Sequence, residues 1–330
     1  MEKARWGVVT TAREPLQLLI AFVAHHLSVG ASEVHIFLDT PDKSKARKLA
    51  AIKGCFVTEC SPAYWKQVAG RRHVRSLNMR QIKNAESVYK TTDLDWLLHM
   101  DADEFVMPSS DIGQALAASD PELVYREIPN VERVYLGPDT PQTIFDGSFV
   151  IPMKHDAETR LRLYGERQSY LMDGVLGHQS GKSLVRVGEE VVIGIHSPRK
   201  NKKFTRTRYL NSKPLEGTRI LHFDGLTPQH WISKLQRYVA TYRPEELPTL
   251  GDARLAQIEH IVAAGGDEKA LVGLHHLLRH LSPEAEAALR EAGQLIDIPF
   301  DPTPAIAALG IGAVDLSVTA FDEALSAMNA

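Results

Sequence analysis

Cysteine is almost absent from this chain: Cys55 and Cys60 are the only 2 among 330 residues. A single C-x4-C pair supplies neither a disulfide framework nor a four-cysteine zinc site, so both are expected as buried, inert thiols. A surplus of charge of one sign is also missing. The 38 basic and 41 acidic side chains leave a net charge of −3, too little for a whole-surface polyanion binder, and no nucleic-acid partner is expected. Long hydrophobic runs are lacking: the longest, Leu18 to Ala24, falls far short of the ~20 residues a membrane span needs. The start, Met1-Glu2-Lys3-Ala4-Arg5, leads straight into Trp6-Gly7-Val8-Val9-Thr10 without the apolar stretch of a signal peptide. Together these absences lead us to expect a cytoplasmic protein, at most peripherally attached to membrane. What is present, 44% apolar and 24% charged residues, is an ordinary globular composition, and the length suits about two domains.

Through the first 130 residues short β-rich runs alternate with helical patterns, the signature of crossover units and a mostly parallel sheet. Strands are expected at 6 to 10, 33 to 38, 55 to 59, 94 to 100 and 122 to 128. Between the first two, Leu16, Leu19, Ile20, Val23 and Leu27 recur at helical spacing, with Pro15 before them and Gly30 past the end. Helices are also expected over Lys43 to Ala51 and Val74 to Tyr89, and one beginning at Asp111. From 130 to 225 the pattern loosens into turns such as Asp146-Gly147 and Asp173-Gly174, with strands at 183 to 187 and 190 to 195. After Thr227-Pro228, a cap followed by proline at a first-turn position, the chain reads as helical. The expected division is an α/β domain over 1–225 and a helical C-terminal region over 226–330.

The strongest local signal is Trp96-Leu97-Leu98-His99-Met100-Asp101-Ala102-Asp103-Glu104-Phe105, an apolar strand that runs out into three carboxylates. In an open parallel sheet, ligands sit outside the carboxyl ends of the strands, and Asp101 and Asp103 belong there. Two aligned carboxylates offer the hard oxygen ligands that a divalent cation takes, and such a cation can hold a diphosphate. Rival motifs fail. Gly181-Lys182-Ser183 looks like the end of a phosphate-binding loop, but Leu176 stands where its first glycine belongs and a strand-like run follows. No G-x-G-x-x-G follows the first strand, which removes a dinucleotide oxidoreductase.

Taken together, Thr10-Thr11-Ala12-Arg13-Glu14, His25-His26-Leu27 with Gly30, Asp39, Arg80-Gln81 and His99-Met100-Asp101-Ala102-Asp103-Glu104-Phe105 resemble the GT-A glycosyltransferases of the family-2-like group, over roughly residues 5 to 225. The resemblance implies a GT-A-like, Rossmann-like domain that binds a nucleotide-sugar donor through Mn2+ or Mg2+ and moves the sugar to an acceptor hydroxyl, with inversion. It implies glycan or cell-envelope polysaccharide synthesis, with a glycan or lipid-linked acceptor and a UDP-sugar as the commonest donor. It makes Asp101 and Asp103 the cation and ribose-diphosphate contacts, Asp39 a contact to base or ribose, and Thr11, Arg13 and Glu14 the lining of the nucleotide pocket. A histidine downstream supplies the third cation ligand in many such enzymes: His222 is ranked first here, because Asp224 stands beside it, and His196 is the alternative. Imidazole with two carboxylates suits Mn2+ at least as well as Mg2+. For the general base Asp173 is chosen from Asp156, Glu158, Asp173 and Asp224. The other function open to the sequence is a non-catalytic nucleotide- or glycan-binding protein on the same fold.

Two acid-free basic windows support an anion site. Lys66, Arg71, Arg72, Arg75, Arg80 and Lys83 lie between Cys60 and Ala85, and Arg80 is the base favoured for donor contact. A second window, 191 to 215, surrounds Lys200, Lys202 and Lys203. It is expected to order over a diphosphate or an anionic acceptor, or else to attach to anionic lipid.

Overall fold

The structure, a computed structural model, describes residues 2–137, 141–200, 210–243, 246–247 and 250–329. In chain order it begins with β1 (Trp6–Ala12), α1 (Leu16–Ser28), β2 (Glu33–Leu38), α2 (Lys43–Ala50), β3 (Cys55–Glu59), α3 (Pro62–Ala69) and α4 (Leu77–Tyr89). Then come β4 (Trp96–His99), β5 (Glu104–Pro108), α5 (Ile112–Ala117), β6 (Tyr125–Ile128), β7 (Asn130–Leu136), β8 (Ser148–Val150), α6 (Ala157–Tyr164), β9 (Lys182–Arg186), β10 (Ser212–Pro214) and β11 (Thr218–His222). The remainder is α7 (Pro228–Thr241), α8 (Asp252–Ala263), α9 (Glu268–Arg279), β12 (His280–Leu281), α10 (Pro283–Glu291), β13 (Leu295–Ile296), α11 (Thr303–Ala308) and α12 (Val318–Asn329). Contacts gather these into two compact units. One comprises Met1–Pro129, Ser180–Ile220 and Pro302–Val314; the other comprises Asn130–Gln179, Leu221–Asp301 and Asp315–Ala330. The boundary at 225 expected from sequence falls inside the second.

The first unit is α/β. Its sheet has 7 strands in the order β10-β6-β9-β4-β1-β2-β3. β1 pairs in parallel with β2 and with β4, and β2 with β3, while β9 runs antiparallel to both its neighbours. The strands β1 and β4 are buried along their whole length, as apolar runs flanked on both sides must be. Trp6 and Trp96, both fully buried, lie opposite one another across that pair. Helices start where a short polar side chain can take an orphan amide: Asp42, Ser61 and Ser76 accept from the backbone N–H of Lys45, Tyr64 and Met79. Around the sheet Val9, Phe37, Trp65, Val88, Leu97 and Val185 form the core. Cys55 and Cys60 are buried free thiols, both pushed up to about 12 by burial.

In the second unit β8 pairs antiparallel with β7 and with β13, and β12 lies parallel to β7. Trp231, Leu235, Ile258, Leu271 and Leu274 close the core among α7, α8 and α9. Residues 226 onward are mainly helical, as expected. The expected strand over 190 to 195 is not formed; Val192 makes only an isolated bridge to Arg199. Among the described residues no helix is long and apolar enough to cross a membrane.

Candidate functional site

The order of the first sheet creates a switch point. The chain lays β2 and β3 to one side of β1, then crosses back to place β4 on the other side. Helices or loops that leave two such neighbouring strands diverge, and the crevice between their carboxyl ends is where open α/β sheets bind ligands. The expected residues cluster at these ends. Met100 N–H donates to the Val9 carbonyl at 3.1 Å, and Asp39 N–H donates to the Ala12 carbonyl at 2.9 Å. The segments after β1, β2 and β4 are thereby tied edge to edge. Thr11, 7% exposed, accepts at Oγ1 from Asn84 of α4 at 2.8 Å. Arg13 is exposed and Glu14 half-buried, its carbonyl accepting from Lys45 Nζ.

Asp39 and Arg80, expected as separate donor contacts, are joined to each other. The guanidinium donates from Nε and Nη2 to the two carboxylate oxygens at 2.6 and 2.8 Å, and Nη1 reaches the Val74 and Arg75 carbonyls. Such a fork fixes both partners in one geometry. Of the remaining bases in this window, Lys66, Arg71, Arg72 and Arg75 are exposed, and Lys83 pairs with Glu86 at 2.9 Å. The middle of the second window, 201–209 with Lys202 and Lys203, lies outside the described residues; Lys200 is exposed.

The D-x-D turn leaves β4 and enters β5. Asp101 is partly exposed, Asp103 is 6% exposed and Glu104 is fully buried. The sequence did not point to the residue that organises them, Lys182. At the start of β9, its ammonium lies 2.8 Å from Asp101 Oδ2 and 3.2 Å from Glu104 Oε2, with the side chain 1% exposed. Burial alone would lower its pKa, but the two carboxylates outweigh that and raise it. Gln81 Nε2 donates to the other Asp101 oxygen at 2.6 Å, and the Asp101 N–H donates to Glu104 Oε2 at 2.8 Å. The one available signal was a lysine placed alone at the head of an apolar strand. Gly181, the glycine of the false phosphate-loop match, has a local reason: its φ is +59°, and a Cβ there would come 2.2 Å from the Ile128 carbonyl oxygen.

The turn rests on α1. His25 Nε2 donates to the Val106 carbonyl at 2.6 Å. His26 donates from Nδ1 to the Phe22 carbonyl and accepts at Nε2 from Val106 N–H, and its ring stacks on Phe105. This explains why the His25-His26 pair and Phe105 stand in the same sequence pattern. His196 is half-buried, with Nδ1 3.0 Å from the Gly181 carbonyl and its own carbonyl accepting from Ser183 Oγ.

His222, Asp173 and Asp224 belong to the second unit. His222 Nδ1 is 3.2 Å from Glu132 Oε2, and its ring centre is 5.0 Å from that of His178. Glu132 also accepts from Arg279 Nη1 and from the backbone N–H of Leu176 and Gly177. Burial would raise the Glu132 pKa, but Arg279 and His222 override it and bring it to about 2. Asp224, fully buried, faces Lys234 at 2.6 Å, Arg279 at 3.0 Å and Arg254 at 3.6 Å, which hold it well below the carboxylate range despite burial. Asp173 occupies the left-handed region, φ +50°, in the turn before Gly174. Asp156 caps α6, accepting from Thr159 N–H, and Glu158 is exposed.

No family profile matches this sequence, and no curated protein matches it. Among solved structures HddC from Yersinia pseudotuberculosis superposes over 71% of this chain and 99% of its own, with 7% identity and a TM-score of 0.35. A superposition at that level carries neither fold nor activity across.

Proposed function

We propose that this protein is a GT-A-type glycosyltransferase that moves a sugar from a nucleoside diphosphate donor to an acceptor hydroxyl on a glycan or lipid-linked substrate, with inversion. The observation that carries the reading is the D-x-D turn at the carboxyl end of β4, beside β1 at the switch point of a mostly parallel sheet. Two carboxylates in one turn, the first of them partly exposed, make a donor set that suits Mn2+ or Mg2+. In this reading Asp101 and Asp103 hold the cation, and His196, which belongs to the same unit, is its histidine ligand. When bound, the cation neutralises charge on the leaving diphosphate.

The protein's own groups do the rest. Thr11, Arg13 and Glu14 line the nucleotide pocket. Asp39 receives the base or ribose, and Arg80 acts by orienting Asp39 through its fork rather than by meeting the donor alone.

Calorimetric titration with UDP, GDP and ADP, each with and without Mn2+, tests the binding half, and transfer screening against a nucleotide-sugar library tests the chemistry. Metal-dependent binding of one nucleotide is expected. The Asp101→Asn, Asp103→Asn double variant should lose that dependence and at least about 100-fold of turnover with its circular dichroism unchanged. Retained transfer in a folded double variant contradicts the role of the turn.

A further inference from the structure

The D-x-D turn already contains a cation of its own. Lys182 reaches it from β9, the antiparallel neighbour of β4, with 1% of its side chain exposed. Asp101 is held at both oxygens, by Gln81 at 2.6 Å and by Lys182 at 2.8 Å. Any divalent ion taken up by Asp101 must therefore share that carboxylate with the ammonium. Because the Lys182 ammonium is buried, salt screens this repulsion less than it would on an open surface. A diphosphate changes the balance, because its negative charge compensates both cations at once.

The geometry points to Lys182 as the residue that keeps divalent-cation affinity low in the free protein and couples cation uptake to nucleoside diphosphate. It is a positioning residue and a tuner of affinity, acting through Asp101. The inference rests on the cation role given above to Asp101 and Asp103, and it adds the order of assembly: cation and diphosphate arrive together. Linkage then requires that each strengthen the other by the same factor. The competing explanation gives Lys182 a structural task only, neutralising the fully buried Glu104. Under it, removing the ammonium loosens the turn and weakens metal binding. Under the present inference, removal tightens it.

The test titrates Mn2+ into the intact 330-residue chain, reading free Mn2+ by electron paramagnetic resonance, alone and with whichever of UDP, GDP and ADP binds. The wild type is expected to bind Mn2+ weakly alone and about tenfold or more tightly with the nucleotide. Lys182→Met should bind Mn2+ alone about tenfold more tightly than the wild type, with the coupling correspondingly reduced. Lys182→Arg, which keeps the charge, should behave as the wild type. Mn2+ binding by folded Lys182→Met that is no tighter than wild type overturns the inference. So does a wild type that binds both Mn2+ and nucleotide but with no effect of one on the other, a measurement that decides the matter even if Lys182→Met fails to fold. A wild type that binds no Mn2+ under any condition removes the proposed function itself, and this inference with it.

Discussion

His25 shows how a single buried side chain is committed to one protonation state. Its imidazole donates to the Val106 carbonyl within a 7% exposed environment, and burial lowers its pKa to about 4. The neutral form is therefore favoured in the folded protein. Stability is full above the unfolded value near 6.5, falls as pH drops from 6.5, and stops falling once the folded group titrates at about 4. The shift corresponds to about 3 kcal/mol. His26 is also held well below the ordinary histidine value, by burial first and then by repulsion between its imidazolium and that of His25. Glu132 has the opposite sense: its contribution is present above 4.5 and is lost only as pH falls toward its folded value of about 2. Urea midpoints should thus decline between pH 6.5 and 4.5 through histidine, before the carboxylates matter. In His25→Gln the decline over that interval should be visibly shallower, and an unchanged slope would remove His25 from the account.

At the scale of elements, β9 depends on how it begins. Gly181 adopts φ +59° with no room for a Cβ against Ile128, and the next residue is Lys182. Gly181→Ala should cost at least about 2 kcal/mol, since left-handed strain and a backbone clash add, and a melting temperature unaltered by the substitution would show the strand start to be pliable. Elements legible from sequence were those whose burial is written as periodicity: β1, α1, β2, α2, β3, α4 and β4 lie where apolar spacing and caps put them. The strand β7 was not legible, because Asn130-Val131-Glu132-Arg133 reads as solvated. Its charges are inside, with Glu132 on Arg279 and Arg133 donating to the Ile144 and Gly225 carbonyls. Gly225 and Arg279 lie far along the chain, where local patterns have no reach. The helix α3 was missed despite a capping Ser61 and Pro62 in its first turn. For the site, the D-x-D turn was legible from one strand and its exit, whereas the Asp39–Arg80 fork and the Lys182 contact needed residues 41 and 81 positions apart to meet.

For the whole molecule the decisive fact is that neither compact unit is one stretch of chain. A fragment of residues 1–225 cuts through both. It deletes α11, which packs on α1 and buries Ile306, and it leaves Glu132 without Arg279. Such a fragment should lack a cooperative urea transition and bind a hydrophobic dye; a sharp transition near the midpoint of the intact chain would show that the interleaving is dispensable. The same interleaving bears on synthesis. A ribosome releases α1 about 275 residues before α11, so the α1 surface that receives α11 stays uncovered while the intervening chain is being made. At ~5–20 residues per second this is a delay of roughly tens of seconds. During it the nascent first unit is an incomplete client for holding chaperones, and its maturation is timed by the last of its segments to emerge.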